Sequence, residues 1–269
     1  MPMLDDLRVT PGSPVLLRDL PTRATHGLTK DDAVEAMRVN TERIARLQYL
    51  LWAESKRSLL LVLQGMDTSG KDGVIRHVLS GVNPQGVRVW SFRKPTEIEY
   101  SRDFLWRIHL RAPARGEIGV FNRSHYEDVL VVRVHNLVPE AVWSRRYDAI
   151  NDFERLLHEE GGCAIVKCFL HISHDEQRTR LQRRLDDPDR NWKFDESDVR
   201  ERARWDDYQL AYEDALSKCS TDHAPWFVVP SDRKWAQRWA VSQLLVETLE
   251  AMDPHHPPAR EDLIGRMID

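Results

Sequence analysis

The chain has 269 residues, of which 41% are hydrophobic and 30% charged, and its 39 Lys and Arg against 43 Asp and Glu give a formal net charge of −4. This composition is that of a folded globular protein and excludes a disordered chain. The small net charge argues against a general nucleic-acid or anionic-membrane binder, whose affinity depends on neutralising many phosphates, although it allows a local basic groove.

The cysteines and the apolar runs indicate the cellular compartment. Cys163, Cys168 and Cys219 form no Cys-x-x-Cys pair, so neither a disulfide framework nor a zinc site is predicted, and a cytoplasmic location is expected. The first ten residues lack the apolar run of a signal peptide. The longest apolar stretch, 59–63, is far shorter than the roughly 20 residues that span a bilayer. We therefore expect no membrane partner and no nucleic-acid partner.

The N-terminal part of the chain divides into an arm and a helix. Residues 1–28 contain four prolines and no hydrophobic period, which predicts an extended arm that is at most partly ordered. A helix is predicted from the N-cap Thr29, with Asp32 three residues later, to about Glu54. Residues 29–253 are predicted to form one domain, followed by a loosely attached tail over residues 254–269.

From residue 58 onward, short apolar runs alternate with amphipathic segments. Strands are predicted over 58–63, 87–92, 117–121, 164–172 and 226–229. Helices are predicted from Lys71, over 98–110, over 139–160, from Asp175, over 198–218 and over 234–252. Strands separated by helices imply right-handed crossovers. The pattern therefore predicts a three-layer α/β/α fold with a five-stranded parallel sheet that is covered on both faces.

A glycine-rich turn follows the first predicted strand. Residues 65–72, GMDTSGKD, contain the Gly-x4-Gly-Lys spacing of a Walker A phosphate loop, placed between a buried strand and a helix. Backbone N–H groups at a helix N-terminus, aided by the helix dipole, hold phosphate oxygens, and Lys71 adds a positive charge. The predicted phosphate-binding residues here are Met66, Thr68, Ser69, Gly70, Lys71, Asp72 and Gly73.

Two acidic residues depart from an ordinary phosphate loop. Asp72 stands where Ser or Thr usually follows the lysine, and Asp67 lies inside the loop. A carboxylate about 4 Å from a phosphate charge costs roughly 4 kcal/mol at an effective dielectric of 20. A Mg²⁺ ion between the two groups turns this repulsion into a bridge. Asp67 is therefore predicted to bind the metal, directly or through water; the alternative is that it only caps a turn.

The third predicted strand ends in a polar segment, FNRSHYED at 121–128. In open α/β sheets the site lies at the carboxyl ends of the strands, so this segment is expected to face the phosphate loop. The position of the Walker B Asp is occupied by Asn122, while Arg123, Glu127 and Asp128 supply charge. His125 is expected to be a packed histidine, because an anionic phosphate acceptor needs no general base.

Four segments together resemble the family-2 polyphosphate kinases: GMDTSGKDG at 65–73, NPQGVRV at 83–89, FNRSHYEDVLVVRV at 121–134, and the region from FLHIS to WKF at 169–194. The resemblance extends from about Asp31 to Met252. Asn122, with Glu-Asp after the tyrosine, is most similar to the class III members. The resemblance implies a thymidylate-kinase-like P-loop kinase fold with a helical lid at about 175–198.

The resemblance also implies an activity. It is Mg²⁺-dependent transfer of a phosphoryl group from inorganic polyphosphate to nucleoside mono- and diphosphates, converting AMP and ADP to ADP and ATP and reversible in principle. Mn²⁺ is a possible replacement for Mg²⁺, and guanine nucleotides are possible acceptors. Members of this family are commonly dimers or tetramers, so a homo-oligomer is expected.

Carried over to this chain, the resemblance assigns catalytic roles to Asp67, Lys71, Arg123 and Glu127, with Asp67 and Glu127 as metal ligands. Further contacts to phosphate or polyphosphate are predicted for Lys94, Arg123, Arg133, Arg178 and Lys193. Asp128 is predicted to contact the nucleotide, and the Trp192 ring to stack on the base. The lid arginines, which are Arg178, Arg180, Arg183 and Arg184, could instead pair with neighbouring acidic residues on an exposed helix.

Three other functions fit parts of the sequence. A nucleotide hydrolase or GTPase-like switch would use the same loop, but the chain has no Asn-Lys-x-Asp motif. An ATP-dependent small-molecule kinase explains Glu127 and Asp128 less specifically. A non-enzymatic scaffold with a degenerate loop is disfavoured by the intact Asp67 and Lys71.

Overall fold

A computed structural model of the protein describes residues 4–261 and 264–267. Its strands are β1 Ser58–Gln64, β2 Val87–Ser91, β3 Ile118–Asn122, β4 Cys163–His171 and β5 Trp226–Pro230. All neighbouring strands are parallel, in the order β2-β3-β1-β4-β5. The predicted five-stranded parallel sheet is confirmed.

Helices connect and cover these strands. They are α1 Lys30–Glu54, α2 Lys71–Val78, α3 Glu97–Tyr100, α4 Trp106–His109, α5 Val131–Val134, α6 Glu140–Trp143, α7 Arg146–Glu159, α8 His174–Asp186, α9 Glu196–Arg202, α10 Trp205–Cys219 and α11 Lys234–Met252. The first of them begins as predicted, because Thr29 and Asp32 form a reciprocal capping box.

The central strand β1 supplies both halves of the core. Leu59, Leu61 and Leu63 pack with residues of α1, α2 and α11, whereas Leu60 and Val62 pack with residues of α7 and α10. This division follows from the period of two along a strand, which sends successive side chains to opposite faces. The continuous apolar run thus marks a strand buried on both faces, and the α/β/α layering is confirmed.

Three of the predicted helices are interrupted. The segment 98–110 forms α3 and α4, 139–160 forms α6 and α7, and 198–218 forms α9 and α10. The first break has a local cause, since the Asp103 carboxylate accepts a hydrogen bond from Leu105 N and the chain turns there. The short helix α5 was not predicted from the sequence at all. Hydrophobic spacing continues across such breaks and does not reveal them.

The N-terminal arm is better ordered than its prolines indicate. Leu4, Leu7, Val9 and Leu17 are buried, and Val9 N donates to the carbonyl oxygen of Trp226 in β5. The expectation of an arm that is at most partly ordered is therefore corrected for residues 4–28: its apolar side chains pack on the domain, although they follow no helical or strand period.

At the other end, residues 255–261 and 264–267 are exposed. In the part of the chain that is described, we find no helix with the length and apolar character needed to cross a membrane.

Candidate active site

The phosphate loop joins β1 to α2 with a backbone that glycine alone allows at two points. Gly65 and Gly70 have φ angles of +147° and +115°. A Cβ on Gly65 would lie 2.8 Å from the Leu170 carbonyl oxygen, and one on Gly70 would lie 2.6 Å from Gln237 Oε1. Both positions exclude a side chain on steric and conformational grounds. The predicted strand, loop and helix are thus all present.

Side chains of α8 and α11 hold this loop by its carbonyl groups. Arg180 Nη1 donates to the carbonyl oxygens of Thr68 and Ser69, at 3.0 and 3.2 Å. Gln177 Nε2 donates to Asp67 O at 3.2 Å, and Gln237 Nε2 donates to Ser69 O at 2.7 Å. These bonds fix the carbonyl side of the loop against two helices, which stabilises one loop conformation.

Lys71 is buried directly behind the loop. Its Nζ donates to the carbonyl oxygens of Gly65 at 2.7 Å and Met66 at 3.3 Å. Burial, and next the nearby positive charge of Arg123, lower the pKa of Lys71 to about 8. The ammonium group therefore lies at the loop in a position where an additional negative charge would stabilise its protonated form.

One guanidinium joins the loop to the end of β3. Arg123 Nη2 lies 2.6 Å from Asp67 Oδ1, and Arg123 Nη1 lies 3.5 Å from Glu127 Oε2. Glu127 is the main cause of a raised Arg123 pKa. The backbone of Arg123 has a φ of +61°, an uncommon conformation for a non-glycine residue. The structure thus brings together three residues that the sequence predicted to be catalytic.

The two departures from an ordinary phosphate-binding motif lie next to each other. Asn122 Nδ2, at the end of β3, donates to Asp72 Oδ1 at 2.8 Å. The acid expected on the strand and the neutral polar residue expected after the lysine have exchanged positions, so one carboxylate and one neutral partner are retained. This contact confirms that the end of β3 faces the loop.

Asp128 is held by two arginines. Arg146 Nη1 lies 3.0 Å from Asp128 Oδ1, and Arg107 Nη2 lies 3.9 Å from Asp128 Oδ2. Burial raises the pKa of Asp128 to about 6, and the two arginines oppose that rise. Asp128 is therefore a buried, paired carboxylate at the wall of the cavity described next.

A cavity of about 830 Å³ opens beside these groups. Its wall includes the first half of the phosphate loop, the residues after β2 with Lys94, and parts of α9 and α10. Asp67, Arg123, Glu127 and Asp128 all line it. A volume of this size accommodates an organic ligand such as a nucleotide.

The comparisons with known proteins bear on this arrangement. The protein-family model described as "Polyphosphate kinase 2 (PPK2)" matches residues 27–257 of the chain. The chain belongs to the polyphosphate kinase 2 family. It is 55% identical over 228 residues to the "AMP/ADP-polyphosphate phosphotransferase" of Meiothermus ruber, covering 85% of each chain. It is 47% identical to the "ADP-polyphosphate phosphotransferase" of Rhodopseudomonas palustris, covering 97% of this chain and 95% of the relative.

A solved structure shares the whole fold. The crystal structure of polyphosphate kinase 2 from Arthrobacter aurescens superposes with a TM-score of 0.91 at 48% identity, and the match covers 95% of this chain and 91% of that one. The P-loop kinase fold expected from the resemblance is confirmed, whereas the assignment to class III stays a prediction.

In this polyphosphate kinase 2 family member, several of the predicted phosphate ligands lie outside the cavity wall. Arg133 Nη1 contacts Asp214 Oδ2 at 2.5 Å, and the guanidinium lies over the Trp143 ring. Arg178 and Lys193 are exposed on and after α8. The Trp192 side chain is 74% exposed, and its indole N–H donates to Asp189 O. The structure does not bring these side chains to the cavity, and their predicted contacts stay predictions.

His125 is packed, as expected. Its Nε2 lies 3.1 Å from Glu154 Oε1, both side chains are fully buried, and burial lowers the pKa of His125. Glu154 also contacts Tyr126 and Lys167. This buried network, formed by His125, Tyr126, Glu154 and Lys167, lies beneath the turn that carries Glu127 and Asp128.

Sequence reasoning missed the part of the site that comes from α7, α9 and α10. Arg146 was not singled out, nor were four residues of the cavity wall: Asp198, Glu201, Tyr208 and Tyr212. The spacing of the tyrosines is that of an ordinary helix face, so it gives no sign that they reach a cavity. The loop-holding residues Gln177 and Gln237 also have no motif that could have identified them.

Proposed function

We propose that this protein transfers a phosphoryl group from inorganic polyphosphate to nucleoside mono- and diphosphates, converting AMP to ADP and ADP to ATP. The observation that carries the proposal is the Arg123 guanidinium, which joins the phosphate loop to the end of β3 at the edge of the nucleotide-sized cavity. The names of the relatives at 55% and 47% identity support the same donor and acceptors.

The residues present suit this chemistry. The bond from the transferred phosphorus to a bridging oxygen of polyphosphate breaks, and a bond to a phosphate oxygen of the acceptor forms. The acceptor oxygen is already anionic, so no base is required. Lys71 and Arg123 supply positive charge where the phosphates meet, and the loop positions the donor. The cavity is where the acceptor nucleotide would bind. Asp128 and its two arginines line that cavity, so we assign them to acceptor binding.

The carboxylates beside the phosphate loop are ligands that suit a hard divalent cation. Asp67 and Glu127 both contact one guanidinium, so their carboxylates lie on either side of a single positive charge. Among residues 4–261 and 264–267, no group of three or more His, Cys, Asp or Glu could hold a metal ion. Mg²⁺ is typically bound by one or two carboxylates together with substrate phosphates, so two carboxylates are enough. We propose Asp67 and Glu127 as ligands for Mg²⁺, or for Mn²⁺, which would neutralise phosphate charge.

Asp67→Asn tests the metal proposal. The variant keeps the size of the side chain and removes the charge that would hold Mg²⁺, so activity should fall and the Mg²⁺ concentration for half-maximal rate should rise. The measurement is a Mg²⁺ titration of the initial rate. An unchanged half-maximal concentration would reduce Asp67 to a turn residue.

The central experiment mixes the protein with Mg²⁺, long-chain polyphosphate and either AMP or ADP, without ATP, and measures the formation of ADP or ATP. Lys71→Ala is the matched control, because loss of the loop charge should lower turnover by about 10²-fold or more in a folded protein. Phosphate release without nucleotide phosphorylation would indicate a hydrolase. Activity with ATP as the sole donor and a different small acceptor would indicate an ATP-dependent small-molecule kinase.

From the resemblance we also propose that guanine nucleotides are accepted, that the reaction runs in both directions, and that the protein is a cytoplasmic dimer or tetramer. Synthesis of polyphosphate from ATP checks the reverse direction. Light scattering coupled to size-exclusion chromatography checks the oligomeric state.

A further inference from the structure

The N-terminal arm contacts both ends of the segment that joins β4 to α8. We call this segment, residues 171–173, the β4–α8 junction; it begins at the last residue of β4 and ends at the N-cap of α8. Among the described residues of the arm, 4–28, none lines the cavity. An effect of the arm on the active site must therefore pass through other residues, and the junction is where such a connection is visible.

The arm binds the first residue of the junction directly. His171 Nε2 lies 3.1 Å from the carbonyl oxygen of Leu17. Because a carbonyl oxygen only accepts hydrogen bonds, Nε2 is the ring nitrogen that carries the proton. Leu17 is itself buried, and its backbone N–H donates to Glu213 Oε1 at 2.8 Å. The arm therefore joins the end of β4 to α10.

The arm binds the last residue of the junction through Asp232, which follows β5. Asp232 Oδ1 accepts a hydrogen bond from Ser173 N at 2.8 Å, and Asp232 Oδ2 accepts one from Thr22 Oγ1 at 2.9 Å. Asp232 N donates in turn to the carbonyl oxygen of Thr22 at 2.9 Å. One carboxylate oxygen thus holds the start of α8, and the other is held by the arm.

The start of α8 determines where the donors to the phosphate loop lie. Gln177 and Arg180 follow the N-cap Ser173 by four and seven residues, so they share one face of the helix. Both side chains donate to carbonyl oxygens of the loop. Arg180 Nη2 also donates to the carbonyl oxygen of Asp232 at 3.1 Å. A displacement of Asp232 would therefore move the helix start and the loop donors together.

We propose that Thr22 is a positioning residue for phosphoryl transfer, because its hydroxyl fixes the Asp232 carboxylate and thereby the start of α8 and the conformation of the phosphate loop. The kinetic consequence rests on the proposed function. A misplacement of about 1 Å that originates far from the reacting atoms can lower a rate by about 10²-fold, so a contact outside the cavity can affect turnover. The arm then contributes to the reaction without touching a substrate.

The test replaces Thr22 by Val, which keeps the shape and loses the hydroxyl, and by Ser, which keeps the hydroxyl. Thr10→Val, at an exposed threonine of the same arm, is the matched control. With polyphosphate as the donor, kcat should fall about three- to tenfold in Thr22→Val, because one carboxylate oxygen loses its donor. The KM for ADP should change little, since the cavity wall is untouched. Thr22→Ser and Thr10→Val should match the wild type.

Wild-type kcat in Thr22→Val would overturn the proposal, and so would an equal loss in Thr22→Ser, because the hydroxyl would then not be the cause. Asp232→Ala tests the route. If Thr22 acts through Asp232, Thr22→Val should lower kcat in the wild type but lower it no further in Asp232→Ala. Losses that multiply would contradict this route. The comparison of Thr22→Val with Thr22→Ser decides alone if Asp232→Ala does not fold.

Hydrogen exchange tests the positioning role in the ligand-free protein, without turnover. The backbone amides of residues 173–177 should exchange about threefold faster or more in Thr22→Val, whereas those in the middle of α1 should exchange at the wild-type rate. Unchanged exchange at residues 173–177 would reject the contact as a support of α8. Equal acceleration in α1 would show only a general loss of stability and would also overturn the proposal. If the wild type made no ATP from polyphosphate, the proposed function would fail, while the exchange rates would still decide whether Thr22 fixes the start of α8.

Discussion

At the scale of single residues, Lys71 combines burial with a proposed role that requires its positive charge. Its pKa is lowered to about 8, and in the proposed role the active form is the protonated one. We therefore expect kcat/KM for polyphosphate, which reports the free enzyme, to fall as pH rises through about 8. Bound phosphates stabilise the ammonium, so kcat should fall only at higher pH.

The check is a pair of pH–rate profiles for the wild type and for Lys71→Arg, whose guanidinium stays protonated throughout. If kcat/KM of the arginine variant fell at the same alkaline pH as that of the wild type, the fall would come from the titration of a group other than Lys71.

Glu127 offers a second prediction at this scale, about acceptor choice. It lines the cavity and contacts Arg123, so its charge lies between the phosphate loop and the cavity in which we propose that the acceptor binds. AMP lacks the second phosphate of ADP, and a carboxylate that helps to hold a metal or its water shell could orient the single phosphate. Glu127→Asn should therefore lower kcat/KM for AMP more than for ADP. Equal losses would show that Glu127 does not determine acceptor choice.

Individual residues were predicted well where a motif fixes the backbone. The spacing from Gly65 to Lys71 identified the loop, and Arg123 and Glu127 were found because they follow a strand that ends beside it. Arg146 was missed because it reaches Asp128 from another helix, and only the tertiary fold brings these two residues together. Arg133 is the converse case, since its charge was visible in the sequence whereas its partner Asp214 was not, and its predicted phosphate contact stays a prediction.

At the scale of elements, α8 acts on the phosphate loop through Arg180. This side chain is 5% exposed, and it also donates to the carbonyl oxygens of Ser231 and Asp232, which precede α11. The sequence analysis grouped it with the lid arginines, for which a neighbouring acidic partner was the alternative, and Arg180 Nε does contact Glu176 Oε1 at 2.8 Å. The remaining bonds make Arg180 a positioning residue, which links the loop, α8 and α11 without lining the cavity.

Arg180→Gln should loosen the loop and lower kcat by about tenfold or more, because hydrogen bonds from a charged donor contribute roughly 1.5–3 kcal/mol each. The KM for the acceptor nucleotide should change little, since the cavity wall is untouched. Arg200→Gln, at an exposed arginine of α9, is the matched control. A variant with wild-type kcat, or with only a raised acceptor KM, would contradict the positioning role.

Elements were predictable to the extent that hydrophobic periodicity defines them. The central strand β1 was located because a buried parallel strand is a continuous apolar run, whereas β2, none of whose residues is buried, was located from its alternating pattern. The helix breaks near Ser101 and Ser144 were missed, since amphipathic spacing continues through them. The helix α5 is only four residues long and lies beside the turn that carries Glu127 and Asp128, where the chain follows local hydrogen bonds rather than a repeating pattern.

At the scale of the whole molecule, buried polar contacts join distant parts of the chain beneath the active site. Lys167 on β4 contacts Glu154 on α7, the Tyr126 hydroxyl, and the carbonyl oxygen of Cys219 at the end of α10. Lys167 and Glu154 are both fully buried. This network therefore supports the turn that carries Glu127 from three separate elements, and sequence alone could not pair a lysine and a glutamate 13 residues apart.

Removing one member of this network should cost more stability than removing the pair. Lys167→Met leaves the Glu154 carboxylate buried without its main counter-charge, which should lower the free energy of unfolding by about 3–5 kcal/mol. Lys167→Met combined with Glu154→Leu removes both charges and should recover much of that loss, because an apolar pair of similar volume avoids the desolvation penalty. Urea unfolding of the two variants and the wild type measures the difference. Equal losses in the single and double variants would show that packing around Lys167, rather than the buried charge pair, determines the stability of this region.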